Sequence, residues 1–328
     1  MKNDSAWNTE RLRQCADVWR DVRGEKDEAL AQIMRRDGID ILVDLTMHMA
    51  HGRPLVFARK PAPIQVAWLA YPGTTGQETI DYRFTDPYLD PPESGVDALY
   101  TEKSLRLPAT FWCYDPLENA AATVGPLPAL ANGYVTLGCL NNFCKVNEGV
   151  LKLWAQVMAG MAGSHLVLLA EEGSHRERML QALENLGVSR QRVNFFGKRP
   201  RLEYMKLYQQ IDIGLDTLPY NGHTTSLDSY FMGVPVVTLV GKTVVGRAGL
   251  SQLTNLGLPE LIARTPEAYV RIAAGLARDL PRLGALRSTL RNRMQSSPLM
   301  DAPRFARAIE SAYRDIWRKW CAPAPALR

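Results

Sequence analysis

Apolar and polar positions fall in blocks whose period changes from helical to extended and back. Residues 6–23 set Trp7, Leu12, Cys15, Val18, Trp19 and Val22 on one side of a predicted helix. A second helix is predicted over 26–36, ending at Gly38. "IDILVDL" (39–45), "PIQVAWLAY" (63–71) and "DYRFTD" (81–86) read as strands. Prolines accumulate from Asp86 to Pro92, and regular structure is predicted to stop there. Residues 115–133, with three prolines, two glycines and two charges, read as a linker between domains. Beyond it strands at 134–140, 165–170, 192–196, 211–218 and 234–240 alternate with helices at 147–161, 174–186, 201–209 and 224–232. Five apolar strands alternating with helices indicate an α/β fold with a parallel, doubly wound sheet. Helices are predicted to fill 247–320.

Composition narrows the class. The 328 residues suffice for two domains, and a hydrophobic fraction of 46% with 7 Trp and 12 Tyr can fill large cores. No run of eighteen apolar residues exists, so no membrane span is expected. The polar start "MKNDSAWNTERLRQ" lacks the apolar core of a signal peptide. The five cysteines, Cys15, Cys113, Cys139, Cys144 and Cys321, form no C-x-x-C pair. Free thiols in a reducing cytosol fit that pattern, and a cytoplasmic location is expected. The formal charge is +5, from 39 basic and 34 acidic residues. Arginines near the C-terminus raise a nucleic-acid reading. They are interleaved with apolar residues at helical spacing and carry no glycine-rich or aromatic RNA signature, so solvated helix faces are the preferred account.

Ligands of doubly wound sheets gather beyond the carboxyl ends of the strands. That rim holds two loops, "NNFCKVNE" (141–148) and "PYNGHTTSLD" (219–228). In the second, Thr225 and Asp228 have capping-box spacing, with Thr225 at the N-cap and Asp228 three residues on. The N–H groups of that first turn suit a phosphate, and Gly222 lets the backbone approach closely. The bland alternative is a cap that binds nothing. Lys145, in the first loop with Asn141 and Asn142, is either a surface lysine or a counter-charge for a diphosphate leaving group. His223 either contacts a ligand or bonds a backbone carbonyl. Asp212 and Asp216 flank a strand and are not spaced as a chelate, so no metal is expected. H-x-x-H at His48 and His51 is a weak metal signal with no third ligand in view. There is no P-loop, and "GTTG" at 73–76 lacks dinucleotide spacing.

Longer stretches resemble a known family. "DGIDILVDLTMHMAHGRPLVFARKPAPIQVAWLAYPGTTG", "LNNFCKVNEGVLKLWAQVM", "DIGLDTLPYNGHTTSLDSYFMGVPVVTLVG" and "SSPLMDAPRFARAIESAYRDIWRKWC" are similar to motifs of the protein O-linked N-acetylglucosamine transferase family. The resemblance covers about residues 10–321.

It implies a GT-B glycosyltransferase with two Rossmann-like lobes: a partial, acceptor-side lobe over 1–125, a nucleotide-sugar lobe over 126–300, and a last helix in 301–328 returning to the first lobe. The implied reaction moves N-acetylglucosamine from UDP-GlcNAc to Ser or Thr of proteins, with inversion and without a metal or cofactor. By position, Lys145 matches the lysine that stabilises the departing diphosphate, and Asn142 a nucleotide contact. His223, Thr224 and Thr225 match the H-T-T element at the nucleotide and diphosphate, and Asp228 the aspartate that holds the ribose. Tyr204 occupies a base-contacting position that is often histidine. An upstream first-lobe segment and a tetratricopeptide array are expected in the family and lie outside this sequence. Met47 and Ala70 stand where glycine is usual, and Met49 where threonine is usual. Two alternatives stay open: a GDP-fucose donor, as in plant SPINDLY proteins, and a truncated, non-catalytic member that binds nucleotide or protein.

Overall fold

Three short runs rich in branched and aromatic residues and one polar run pair into the first sheet: β1 (Ile41–Asp44), β2 (Ile64–Ala67), β3 (Tyr82–Thr85) and β4 (Lys103–Arg106). All pairs are parallel, in the order β1-β2-β3-β4. The structure is a computed structural model and describes residues 4–323. β2 is buried along its whole length, as a strand covered on both faces must be. The edge strand β4, "KSLR", is exposed to half-buried, and its polar pattern gave no strand signal.

The second sheet has six parallel strands: β5 (Thr136–Cys139), β6 (His165–Leu169), β7 (Val193–Phe196), β8 (Ile213–Leu215), β9 (Val236–Leu239) and β10 (Ile262–Ala263). Their order is β10-β9-β8-β5-β6-β7. The order reverses between β5 and β8, and a crevice opens there at the carboxyl edge. Two-residue β10 lies inside the stretch predicted to be helical throughout.

Helices cover both sheets. The N-terminal half carries α1 (Asp4–Gln14), α2 (Asp27–Arg36) and α3 (Pro54–Ala58). Around the second sheet lie α4 (Pro128–Asn132), α5 (Glu148–Ala159), α6 (Ser174–Asn185), α7 (Arg201–Leu207), α8 (Thr224–Phe231) and α9 (Ala248–Asn255). Then come α10 (Pro266–Arg278), α11 (Leu280–Gln295) and α12 (Ala302–Cys321). The helix predicted over 6–23 ends at Gln14, and the Trp7 side chain lies outside the described residues. Past the end of α1, Asp21 accepts from the backbone N–H and guanidinium of Arg23, local bonds that compete with a helix. Val18 and Trp19 are exposed, so no packed face rewards the helical spacing.

The apolar face of α12 lies on the first sheet. Ile316 joins Ile64, Val66 and Phe84 in one core, and Phe305 stacks on Trp68 with ring centres 5.6 Å apart. The larger core, around the second sheet, also takes in Leu89, Phe111, Trp112 and Tyr114. Polar ties join the two halves beside the crevice. Ser251 donates to Asp86 at 2.6 Å, Arg247 to the Tyr88 carbonyl at 2.9 Å, and Asn255 to the Ala109 carbonyl at 3.0 Å.

Candidate functional site

The loop after β5 turns sharply at Phe143–Lys145, where Asn142 Oδ1 accepts from the Cys144 N–H at 3.2 Å. Asn141 points inward and stitches this loop to the one after β8. Its Nδ2 donates to Thr217 Oγ1 at 2.9 Å, and its Oδ1 accepts from Thr225. Buried Asp216 shapes the second loop by accepting from the N–H groups of Gly222 (2.7 Å) and Thr217 (2.9 Å) and from Thr238 Oγ1 (2.7 Å). Burial pushes its carboxyl up to about 6.

The second loop enters α8 two residues earlier than the capping-box spacing implied. His223 is at the N-cap position without a side-chain cap bond, and Thr224 is the first helical residue. The capping box therefore does not form. Thr225, now second in the helix, bonds Asn141, and Asp228, now fifth, cannot reach the N-cap. The N–H groups of Thr224 and Thr225 open the helix and have no intrahelical partner. Gly222 is required by packing rather than by an approaching ligand, since a Cβ there would overlap Ser226 Oγ and crowd Asn141.

Lys145 is half-buried. Its ammonium donates to the Asn221 carbonyl at 2.8 Å and lies 3.8 Å from the centre of the Tyr220 ring. Burial lowers its pKa, and nearby Asp216 partly opposes this. The His223 ring lies 5.1 Å from Tyr220 and 5.3 Å from Trp112. Its Nε2 is shielded from solvent and has no partner. Burial, then the Lys145 charge, depress its pKa to about 3, so the ring is neutral near neutral pH. Tyr220 meets Tyr71 of the first lobe at 6.3 Å, and Tyr71 meets His48 at 6.1 Å. Near them Met47 holds a left-handed backbone (φ 43°), a conformation that favours the glycine the resemblance expects there.

Beside this cluster opens a cleft of about 580 Å³. Asn142, Tyr204, Thr224, Thr225 and Asp228 line it, with Phe143, His175, Lys198, Arg199 and Arg201. Five of the seven predicted site residues thus share one cleft; Lys145 and His223 flank it, towards the first lobe. Tyr204 shares a hydroxyl–hydroxyl bond of 2.8 Å with Tyr208, whose own OH donates to the Thr225 carbonyl. Asp228 is buried and accepts from Arg201, with Nη1 to Oδ2 at 2.6 Å and a shorter bond from Nη2 to Oδ1, and from the Tyr114 hydroxyl at 2.8 Å. Sequence reading missed Arg201 and Tyr114. The basic run "GKRPR" (197–201), just after β7 on the same rim, was the available signal for the arginine.

His48 Nε2 lies 3.3 Å from the Thr74 carbonyl, and His51 is exposed. Among the described residues no group of three His, Cys, Asp or Glu side chains is placed to hold a metal ion. No described helix is long and apolar enough to cross a membrane.

Comparison with known proteins supplies the context. The sequence pattern of glycosyl transferase family 41 matches residues 10–120 and 127–309. A curated relative from Arabidopsis thaliana, named probable UDP-N-acetylglucosamine–peptide N-acetylglucosaminyltransferase SPINDLY, is 41% identical over 319 residues. The match takes in 95% of this chain and 34% of that protein, so the chain spans about a third of the length of such relatives. A solved O-GlcNAc transferase mutant from Thermobaculum terrenum superposes with a TM-score of 0.88 at 41% identity, covering 95% of this chain and 59% of that one. The Anabaena protein HepE, solved with UDP and glucose, shares the fold at a TM-score of 0.60, 14% identity and coverage of 94% and 90%. The architecture is that of GT-B glycosyltransferases, with two α/β lobes built on parallel sheets.

Proposed function

The chain belongs to glycosyl transferase family 41, and from that premise we propose that it carries the donor-binding and catalytic groups of a protein O-GlcNAc transferase. The reaction moves N-acetylglucosamine from UDP-GlcNAc to a Ser or Thr hydroxyl of a protein or peptide, inverting and independent of metal. The observation that carries this reading is the placement of Lys145 against the loop that leads into α8, bonded to Asn221 and over Tyr220, beside a basic cleft.

The acceptor hydroxyl attacks the anomeric carbon from the face opposite the diphosphate, and its O–H bond breaks as the proton passes to solvent. The bond to the diphosphate breaks, and its electron pair stays on the leaving oxygen. Negative charge grows there, and fixed donors aimed at it lower the barrier. Lys145 and the free N–H groups of Thr224 and Thr225 are those donors. The lysine is already half-desolvated, with a carbonyl and a ring as its neighbours, so its charge is available to an anion. Asn142 and Tyr204 line the nucleotide end, and Asp228 takes a ribose hydroxyl. Neutral His223 packs beside the diphosphate.

Calorimetry tests the binding half. UDP is expected to bind more tightly than UMP, because the two loops converge on a diphosphate; equal affinities would remove that argument. A GDP arm addresses the donor. Tyr204 spends its hydroxyl on Tyr208, and tighter binding of GDP would shift the sugar towards fucose. Transfer of labelled N-acetylglucosamine to peptide is expected to persist in EDTA, and its loss there would reject metal independence.

A further inference from the structure

Asp228 offers the cleft very little of itself. A carboxylate has about four acceptor positions. Arg201 takes one on each oxygen, and Tyr114 takes a second on Oδ1. Oδ1 is thereby filled, and a single acceptor position remains, on Oδ2. A group that reads a hydroxyl through one remaining lone pair depends on the donors that fix its orientation.

Those donors differ in kind. The Arg201 side chain lines the cleft and is 31% exposed. Tyr114 does not line the cleft and comes from the segment preceding the linker. Its backbone N–H donates to the Leu299 carbonyl at 2.7 Å, and its ring packs on Phe231, three residues beyond Asp228 in α8, at 5.8 Å. Main-chain and ring contacts therefore hold the phenol against Asp228 from behind the helix. Burial and the adjacent carboxylate keep its proton bound far above the ordinary tyrosine range.

We propose that Tyr114 is a positioning residue for the nucleotide: by occupying Oδ1 of Asp228 it aims Oδ2 at a ribose hydroxyl. The proposal rests on the ribose role given to Asp228 above and adds a residue that touches no ligand. It separates two effects of Tyr114→Phe, because the ring still packs on Phe231 while the hydroxyl is lost.

The experiment measures UDP and 2′,3′-dideoxyuridine diphosphate binding by calorimetry to the parent, Tyr114→Phe and Asp228→Asn. Tyr114→Phe is expected to weaken UDP about five- to tenfold and to leave the dideoxy nucleotide within about twofold, since a charge-assisted bond is lost only where a ribose hydroxyl reads it. Asp228→Asn is expected to act in the same direction and more strongly. If Tyr114→Phe binds UDP like the parent while Asp228→Asn does not, the positioning role is wrong and the ribose role stands. Equal weakening of both nucleotides by Tyr114→Phe means a general packing loss and also overturns the role. If Asp228→Asn binds UDP like the parent, the ribose reading falls and the proposal falls with it.

Discussion

The two ends of the cleft handle charge in opposite ways. At the α8 opening, Lys145 is held by a carbonyl and an aromatic face, and the histidine beside it is neutral. Among the described residues no carboxylate bonds the lysine; Asp216, which raises its pKa, is engaged by Gly222, Thr217 and Thr238. At the other end Asp228 is already paired with Arg201 and bonded by Tyr114. The first end keeps a cation uncommitted until an anion arrives. The second spends its charge on geometry. An interaction that stabilises only the transition state raises turnover, whereas one satisfied before binding serves stability and orientation. One residue beside the cleft should therefore slow chemistry when lost, and another that lines it should loosen the fold.

The largest expected effect tests the first end. Lys145→Ala in the enzyme that carries this region should lower turnover by roughly a hundred- to a thousandfold, equivalent to about 3–4 kcal/mol, the scale for one such donor. Its melting temperature should change little, because the lysine's contacts are one carbonyl and one ring face. Labelled-sugar transfer to a peptide, read beside thermal melts, decides it. A variant turning over near the parent rate would make Lys145 an ordinary lysine.

The second end should respond in reverse. Arg201→Ala leaves the buried Asp228 carboxylate with Tyr114 alone. Breaking a fully buried pair costs about 3–5 kcal/mol, and the partial exposure of Arg201 reduces that to about 2 kcal/mol. Urea unfolding should show a lower midpoint with unchanged slope. If Arg201→Ala is as stable as the parent, the claim that this end serves the fold fails.

Thr225→Val ranks third and joins the ends. Thr225 Oγ1 donates to Asn141 Oδ1, tying the start of α8 to the β5 loop. Losing that bond should cost about 1 kcal/mol in urea unfolding. Ser in place of Thr restores the hydroxyl and so separates the lost bond from a mere methyl effect. No loss in the valine variant would mean the Asn141 bond contributes nothing.

What the sequence made legible follows burial and distance along the chain. β2, β5, β8 and β9 announced themselves because interior parallel strands are apolar runs. β4 stayed invisible because "KSLR" is an edge strand, and β10 because two residues carry no period. Residues 15–23 kept helical spacing while Val18 and Trp19 had no surface to pack on, so the pattern overshot. In the site, loops close in sequence were readable: Thr224, Thr225 and Asp228 reach the same cleft. The T-x-x-D spacing was real, but a helix starting two residues early gave both side chains other partners. Arg201 and Tyr114 meet Asp228 across separations of 27 and 114 residues. Local spacing cannot reveal such partners; only the tertiary path of the chain brings them together.

The smallest expected effect is a pH slope at the first end, and its sign follows from linkage. The folded His223 holds its proton only below about 3, whereas an unfolded histidine holds it below about 6.5. Between those values the unfolded state binds more protons, so stability rises with pH and is lost on acidification. From pH 7.5 to 6 the loss due to this group is below about 1 kcal/mol. Asp216 has the opposite sign: its folded carboxyl titrates at about 6, above the ordinary 3.8, so its contribution is complete below 3.8 and fades as pH rises through 6. The two partly cancel in the parent, and the other histidines are common to both proteins. Subtracting urea stabilities of His223→Gln from those of the parent at pH 7.5 and 6 isolates the histidine. The parent should lose more than the variant over that interval. Parallel pH dependences would mean that His223 protonates in the folded state as freely as in the unfolded one. The ring would then be charged on mild acidification, and the end of the cleft beside Lys145 would not be the desolvated, uncommitted site that sets it apart from Asp228.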